Sequence, residues 1–540
     1  MTGGRAIVQS LKQYGVDTIF ALPGVQLDNI FDALYDEQDN IRVYHTRHEQ
    51  ATAYMAMGYS QSTGKVGVCL VVPGPGLLNT TAALSTAYAT NTPVLAISGQ
   101  INSDMIDKGY GQLHEIPNQL QMIASVTKWA ARIDSPQEAP GLVREAFKQM
   151  NTGRPRPVEL EMAPDIMGLM ADVELLDPIT NYDRPSGDPD KLEEAAKLLG
   201  NAKKPMIFAG TGVLGAGEEL LALAEMLQAP IIASSGGKGV VADDHYLSQT
   251  STAAYDLWME TDCALAVGTR FNTPISRWGI DDELKTIHID IDPEEIGRLH
   301  EPNIGIVADA KAALADLVDR TSKHNMSRES RKEELEALDE RVRDMLWEVQ
   351  PQAGYTEAMR NTLPKDGVFV TEMTQVGYFS RDGFPVYNPR SFVHCGYQGT
   401  LGFGYATALG AQVGNPDKKV LSINGDGGFL FTGQELATAV HHNIPLVAVV
   451  FVDDAYGNVK RIQKNQYNGR TIASDLHNPD YVKYAESFGM AGYRAESPEQ
   501  LAEHIEDAWS NGGPALIEVQ IGEVPQMRSV AWNPQKKRGE

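Results

Sequence analysis

The sequence predicts an α/β protein with three consecutive domains, each built on a doubly wound parallel β-sheet. Short apolar runs rich in β-branched residues alternate with helix-favouring stretches along the chain, which is typical of parallel strands covered by helices on both faces. At 540 residues the chain is too long for one hydrophobic core. Polar segments divide it, and we predict domains at residues 1–175, 188–325 and 350–540.

The first predicted domain begins with a helix at residues 4–14 and a strand at 18–20. Two further apolar runs, 66–72 and 93–98, have the length and composition of buried strands. The stretch 176–190 is rich in proline, aspartate and glycine, so we interpret it as a linker to the second domain.

The second predicted domain repeats this alternation. Its strands are expected at residues 205–209, 230–233, 263–267 and 286–290. The charged run 327–343 alternates in sign, which predicts a solvated helix that joins the second domain to the third.

The third predicted domain contains a strand at 368–370 and then a strand–helix–strand unit at 420–423, 433–440 and 445–452. Parallel strands joined by a helix point the same way, so both strands of this unit end at the same edge of the sheet. A final strand is expected at 515–519.

The net charge of −25 comes from 71 acidic and 46 basic residues. No stretch concentrates lysine and arginine, and an acidic surface repels phosphate backbones and anionic lipids. We therefore expect no nucleic-acid partner and no membrane partner. Small molecules are the expected ligands.

The three cysteines, Cys69, Cys263 and Cys395, are far apart and lack CxxC spacing, which argues against a disulfide framework and a zinc site. The N-terminal stretch has no signal-peptide apolar core, and the longest apolar runs fall short of the ~20 residues of a membrane span. These features predict a cytoplasmic protein.

Carboxylates follow both strands of the strand–helix–strand unit: Asp426 after the first and Asp453-Asp454 after the second. Ligands of open α/β sheets bind at this edge, and paired carboxylates can hold Mg²⁺ or Ca²⁺. Gly427 and Gly428 offer backbone N–H groups to a phosphate at the start of the next helix. The alternative is ordinary, since Asp-Gly is a common hairpin turn and aspartate often caps a helix.

The spacing from Gly425-Asp426-Gly427 to Asp453-Asp454-Ala455 resembles the diphosphate and metal motif of thiamine diphosphate (ThDP) enzymes. The resemblance implies that Mg²⁺ is held at Asp426, Asp453 and Ala455. It implies cofactor contacts along the same two segments, at Gly425, Asp426, Gly427, Gly428, Asp453, Ala455, Tyr456, Gly457 and Asn458.

A second motif, His48-Glu49-Gln50, precedes a helix of small residues at 51–59. A lone glutamate at a helix start is often only a surface residue favoured by the helix dipole. This stretch, however, resembles the glutamate motif of the acetolactate synthase-like branch of ThDP enzymes. The resemblance implies that Glu49 is catalytic and hydrogen-bonds the pyrimidine ring of the cofactor. A carboxyl buried against that ring should have a raised pKa.

The resemblance covers nearly the whole chain. In the family, the position of Leu401 is an apolar wedge that bends the cofactor, and the backbone at Gly399 and Leu401 contacts the pyrimidine; ordinary core packing is the alternative for Leu401. Thr374 and Gln375 match positions that contact the diphosphate, although Thr374 replaces a usual glycine.

Three positions bear on the reaction. Decarboxylases of this superfamily usually place proton-donating groups where this chain has Val25 and Val72. An enamine without a nearby proton donor survives to attack a second carbonyl, so these apolar residues favour carboligation. His114 lies where acetolactate synthases have glutamine, and it is a candidate contact for the acceptor or a proton shuttle; an exposed loop histidine is the alternative.

The chain also departs from the biosynthetic synthases. Their Arg-Phe-Asp-Asp-Arg is replaced by the segment 270–274, which lacks the arginine for the acceptor carboxylate, and Ile462 replaces a tryptophan. Their FAD signature is missing from the second domain, so FAD is not expected, while another nucleotide there stays open.

We therefore expect a ThDP- and Mg²⁺-dependent carboligase that decarboxylates pyruvate or a similar 2-oxo acid and joins the fragment to a carbonyl acceptor. A ThDP-dependent 2-oxo acid decarboxylase or C–C bond hydrolase or lyase is the alternative, and a non-catalytic oligomeric protein is the third class. Family members form active sites between subunits, which implies a homodimer or homotetramer.

Overall fold

The computed structural model describes residues 1–527, 534 and 536–540. It contains three six-stranded sheets in succession, each covered by helices. Every strand pairing for which a register is defined is parallel, so the predicted fold class is confirmed. Among the described residues, no helix is long and apolar enough to cross a membrane.

The first sheet is formed by β1 (Thr18–Ala21), β2 (Arg42–His45), β3 (Gly67–Val71), β4 (Val94–Gly99), β5 (Trp129–Ile133) and β6 (Val158–Met162). The helices are α1 (Gly3–Gln13), α2 (Asp28–Tyr35), α3 (Glu49–Thr63), α4 (Pro75–Ala89), α5 (Gln119–Ala124), α6 (Ala139–Asn151) and α7 (Pro164–Gly168). The strand order β2-β1-β3-β4-β6-β5 reverses direction between β1 and β3. A crevice for ligands is expected beyond the carboxyl ends of these two strands.

The central sheet is formed by β7 (Pro205–Ala209), β8 (Ile231–Ala233), β9 (Ser248–Gln249), β10 (Cys263–Val267), β11 (Lys285–Asp290) and β12 (Ile304–Val307), in the order β12-β11-β10-β7-β8-β9. Its helices are α8 (Pro189–Asn201), α9 (Gly217–Leu227), α10 (Ser251–Trp258) and α11 (Ala310–Thr321).

Helix α12 (Lys332–Trp347) follows the central sheet. The sequence predicts a solvated helix here, but Leu335, Leu338, Val342 and Leu346 are buried. The solvated interpretation was wrong for this face, because apolar residues at helical spacing form a stripe between the alternating charges.

The third sheet is formed by β13 (Val368–Val370), β14 (Phe392–Val393), β15 (Val420–Gly425), β16 (Val447–Val452), β17 (Ala491–Ala495) and β18 (Ala515–Gln520), in the order β14-β13-β15-β16-β18-β17. The helices are α13 (Gln352–Thr362), α14 (Gln375–Gly383), α15 (Gly404–Gly414), α16 (Asp426–Phe429), α17 (Leu436–His441), α18 (Gly457–Gln466), α19 (Tyr481–Ser487) and α20 (Pro498–Asn511). Here the strand order reverses between β13 and β15.

The chain divides into two compact units. One comprises Met1–Tyr182, Val368–Thr374 and Val393–Gly522, and thus holds the first sheet and most of the third. In its core α3 packs closely on α15 through glycines: a side chain at Gly58 would overlap the carbonyl of Thr407, and one at Gly410 would overlap that of Met55. The other unit comprises Asp183–Gly367, Gln375–Phe392 and the described part of Glu523–Glu540.

Candidate active site

The reversal point of the first sheet brings together the segments that follow β1 and β3. Val72 is buried, and its two methyl groups face Gly24 and Gly76. A Cβ atom on Gly24 would overlap Cγ1 of Val72, and one on Gly76 would lie 2.6 Å from Cγ2. Val72 therefore forms an apolar wall between the two glycines, and a side chain at either glycine position would clash with it.

Glu49 is the first residue of α3 and lies beside this wall. The preceding His48 caps the helix by accepting the backbone N–H of Gln50 at 3.1 Å. The amide of Asn79, from α4, donates to Oε2 of Glu49 at 2.9 Å. A Cβ on Gly76 would lie 3.7 Å from Oε1. Glu49 is half-buried, with one oxygen fixed by Asn79 and the other facing the glycine segment after β3.

The loop that carries His114 lies over the same edge. The His114 carbonyl packs so closely on Gly74 that any side chain on Gly74 would overlap it, and Gly74 has a φ of +55°. Within the described chain, Nδ1 of His114 is buried and has no hydrogen-bond partner. Val25, in the turn after β1, is 64% exposed. Glu49, His114 and Val25 are thus all positioned around the carboxyl edge of the first sheet.

A buried polar network anchors Gly74, in the turn after β3, and the sequence analysis did not predict it. Gln119 accepts the backbone N–H of Gly74 at 2.8 Å and donates to Glu161 at 2.9 Å. Arg132 also donates to Glu161, at 2.6 Å. One feature of the sequence could have indicated this network: two glutamates, Glu159 and Glu161, interrupt the apolar strand β6.

Glu159, the first of these glutamates, accepts the Ser98 hydroxyl at 2.7 Å, and its Oε2 has no partner within the described chain. Burial raises the pKa of Glu159 well above its usual range, and the neighbouring Glu161 charge adds to this shift. Burial therefore favours the protonated form of Glu159, while Glu161 pairs with Arg132.

The reversal point of the third sheet forms the second group of candidate site residues. Asp426 starts α16, and its Oδ2 accepts the backbone N–H of Asp454 at 2.8 Å and the Asn478 amide at 2.7 Å. Burial raises the pKa of Asp426. Burial and the Asp426 charge raise the pKa of Asp453 to about 7.

This donor set fits a hard divalent cation. The carboxyl groups of Asp426 and Asp453 are close enough that the charge of Asp426 raises the pKa of Asp453, because like charges repel. A cation between them would remove the repulsion, and carboxylate oxygens are the ligands that Mg²⁺ prefers. The side chain of Asp454 is exposed and accepts the Asn478 amide at 2.8 Å, which sets it apart from this pair.

The glycines after β15 are required by close contacts. A side chain on Gly428 would overlap the carboxyl of Glu372, and a Cβ on Gly427 would lie 2.8 Å from the Tyr456 ring. Glu372 is buried and accepts the backbone N–H of Gly402 at 2.6 Å. Burial raises the pKa of Glu372 to about 7. Glu372 thereby ties the turn after Leu401 to the start of α16.

The other predicted cofactor positions lie on the segment before α15 and at the start of α14. Gly399 has a φ of +59°, and Leu401 is half-buried. Thr374 lies beside Gly425, whose Cβ position would be 3.4 Å from that of Thr374. Gln375 is buried at the start of α14, which belongs to the other compact unit.

The segment after β16 completes the set. A side chain on Gly457 would overlap the Asp453 carboxyl. Ala455 is buried and bridges to Asp475, Tyr456 precedes α18, and Asn458 is exposed on its first turn. Within residues 1–527, 534 and 536–540, no hydrogen bond or ion pair joins Glu49 to Asp426, so each belongs to its own group.

Three family models match this chain in order. The N-terminal TPP binding domain of thiamine pyrophosphate enzymes matches residues 1–122, the central domain matches 192–317, and the C-terminal TPP binding domain matches 373–519. The first and last of these contain the two groups of site residues. The chain belongs to the thiamine pyrophosphate enzyme family, and thiamine diphosphate is its cofactor.

Similar proteins within the family include synthases and a decarboxylase. A probable acetolactate synthase large subunit from Methanocaldococcus jannaschii is 36% identical, covering 96% of this chain and 92% of the relative. The acetolactate synthase large subunit of Corynebacterium glutamicum is 31% identical, covering 98% and 88%. A probable 2-ketoarginine decarboxylase from Pseudomonas aeruginosa is 33% identical, covering 96% and 94%.

Proposed function

We propose that this enzyme is an acetolactate synthase-like carboligase, which decarboxylates pyruvate or a similar 2-oxo acid and joins the fragment to a second carbonyl compound. The apolar wall of Val72 beside Glu49 carries this proposal. A wall without a proton donor leaves the reacting carbon unprotonated, so that an acceptor carbonyl can react with it. The two synthase relatives support the same reaction class.

Bound ThDP supplies the carbanion chemistry, and the protein residues direct it. We assign Glu49 to proton exchange with the pyrimidine of the cofactor, Leu401 and Gly399 to its support, and Gly427 and Gly428 to its diphosphate. The remaining cofactor positions, Thr374, Gln375, Gly425, Tyr456, Gly457 and Asn458, are assigned to the diphosphate and its surroundings.

We assign Mg²⁺ to Asp426, Asp453 and Ala455, and the matched pair of variants Asp426→Ala and Asp454→Ala tests this. The first removes half of the carboxylate pair, whereas the second removes an exposed side chain beside it. Titration of ThDP in the presence of Mg²⁺ should show that Asp426→Ala binds far more weakly than Asp454→Ala. Equal affinities would contradict the metal assignment.

A 2-oxo acid decarboxylase is the second candidate, and two observations favour it. One relative is a probable 2-ketoarginine decarboxylase. Nδ1 of His114, which has no hydrogen-bond partner among the described residues, can hold a water molecule or pass a proton at the same edge as Glu49.

Product analysis separates the two candidates. The enzyme is incubated with ThDP, Mg²⁺ and a panel of 2-oxo acids, with and without a second carbonyl compound, and products are identified by mass spectrometry. Acetolactate-type or acetoin-type products support the carboligase. Free aldehyde as the sole product, at every acceptor concentration, would establish the decarboxylase instead.

We also propose a homodimer or homotetramer with active sites between subunits. Apolar side chains stay exposed near both groups of site residues, including Leu78, Leu430 and Phe431. A cytoplasmic location is supported by three buried free cysteines, Cys69, Cys263 and Cys395. No flavin is proposed, and the absorbance spectrum of the purified enzyme tests this.

A further inference from the structure

Three histidines meet at a place that the candidate active site does not use. His45 ends β2 of the first sheet, while His441 and His442 lie at the end of α17 beside the third sheet. All three belong to the same compact unit. One ligand nitrogen from each lies within 4.8 Å of the others.

The centroids of the three rings form a nearly equilateral triangle. The ring centroids are 4.6 Å apart for His45 and His441, 4.8 Å for His45 and His442, and 4.7 Å for His441 and His442. The ring planes are inclined by 68°, 70° and 83°. Tetrahedral Zn²⁺ with Zn–N distances of about 2.0–2.1 Å places imidazole centroids about 5 Å apart, so the triangle has nearly the size of a tris-imidazole site.

The environment favours the ligand form of these side chains. Burial, followed by the proximity of His45, lowers the pKa of His442 to about 4. Burial, followed by the charges of His441 and Arg47, lowers the pKa of His45. Neutral imidazole is the form that coordinates metal ions, and the burial of these two rings favours that form.

The cluster is also accessible. His442 and Tyr44 line a surface cavity of about 500 Å³, and His441 is exposed. Nε2 of His442 lies 3.2 Å from the backbone nitrogen and from the carbonyl oxygen of His45, which fixes the His442 ring against the end of β2. Bound ligand nitrogens would be about 3.4 Å apart in a tetrahedral site, and rotation of the exposed His441 ring can bring its nitrogen closer to the other two.

We propose that His45, His441 and His442 bind one divalent transition-metal ion of the Zn²⁺ and Ni²⁺ class, with a fourth position open to the cavity. Imidazole nitrogen selects such borderline ions over Mg²⁺, which prefers oxygen. The ion would cross-link β2 of the first sheet to α17 of the third-sheet region. This site is separate from Asp426 and does not rest on the proposed carboligase activity.

The test uses the full-length enzyme without a polyhistidine tag. The protein is stripped with chelator, saturated with Mg²⁺ and ThDP to occupy the carboxylate site, and titrated with Zn²⁺ by calorimetry and metal analysis. The variants are His441→Ala and His442→Ala. His504→Ala, a histidine substitution elsewhere in the same unit, is the control.

Wild type and His504→Ala should bind one Zn²⁺ per chain. His441→Ala and His442→Ala should bind it at least about tenfold more weakly, since each loses a direct ligand. Zn²⁺ should raise the thermal unfolding midpoint of wild type but not of these two variants. Because His441 is exposed, its replacement should leave the circular dichroism spectrum unchanged. Absence of Zn²⁺ binding in wild type, or equal binding in all four proteins, would overturn the proposal.

Discussion

At the scale of single residues, the side chain of Glu49 is held in one orientation beside the segment after β3. Asn79 holds one of its oxygens, and the other faces the segment after β3. In Glu49→Gln the amide oxygen can still accept the Asn79 hydrogen bond, but the side chain can no longer exchange a proton. We expect turnover to fall about 10²- to 10⁴-fold while ThDP affinity and folding stay close to wild type. Activity within a few-fold of wild type would remove Glu49 from the mechanism.

Val25 offers a way to change the outcome of the reaction without disturbing the core. It is mostly exposed, whereas Val72 packs against Gly24 and Gly76, so that a larger residue at Val72 would clash. In Val25→Ser a hydroxyl near the reacting carbon should compete with the acceptor and shift product toward aldehyde. The aldehyde-to-ligation ratio at fixed pyruvate measures this. Val25→Ala, which loses the same bulk without gaining a hydroxyl, should leave the ratio unchanged.

Because the pKa of Glu159 is raised in the folded protein, we expect the free energy of unfolding to depend on pH through this residue. Its raised pKa means that the folded protein keeps a proton at pH values where the unfolded chain has already lost it. Because the folded state binds more protons, this group lowers stability as pH rises above the ordinary glutamate pKa. Glu159→Gln cannot titrate and should gain stability relative to wild type as the pH rises above the ordinary glutamate pKa.

Thermal unfolding at a series of pH values checks this expectation. Glu506→Gln, an exposed position on α20, is the matched control and should follow wild type throughout. A constant difference between Glu159→Gln and wild type across the series would show that Glu159 does not titrate as proposed.

At the scale of elements, the contact between α3 and α15 depends on glycine. A methyl group at Gly410 would overlap the carbonyl of Met55, and backbone atoms cannot move away as a flexible side chain can. We expect Gly410→Ala to destabilise the protein by about 1–3 kcal/mol through overpacking. Gly141→Ala on α6 meets open space and should be neutral or stabilising by up to about 1 kcal/mol. Calorimetric unfolding of both variants makes the comparison.

Strands were predictable where the sequence contains a continuous apolar run. Strands such as β10 and β16 are uniformly buried, and their apolar runs show it directly in the sequence. Helix α12 was harder, since its buried leucines are outnumbered by charged residues. Neither pattern shows how closely two helices approach, which depends on contacts such as that of Gly410 with Met55.

At the scale of the whole molecule, the separation of Glu49 from Asp426 makes an assembly test possible. If active sites form between subunits, a dimer of one Glu49→Gln chain and one Asp426→Ala chain has one site with both residues intact. Mixing the two inactive variants under conditions of subunit exchange should therefore restore activity. Variants that each fail alone and stay inactive after proven exchange would place each active site within a single chain.

The sequence by itself determined the class of fold and the positions of Asp426, Asp453 and Glu49, because strand ends and helix starts are local patterns. The tertiary structure decided what lies around them. Val72 faces Gly24 and Gly76, and Gln119 ties Gly74, in the turn after β3, to a buried polar network. His45 meets His441 and His442 across nearly 400 residues of chain. Such groupings depend on which strands and helices are neighbours in space, and no local spacing in a sequence encodes that.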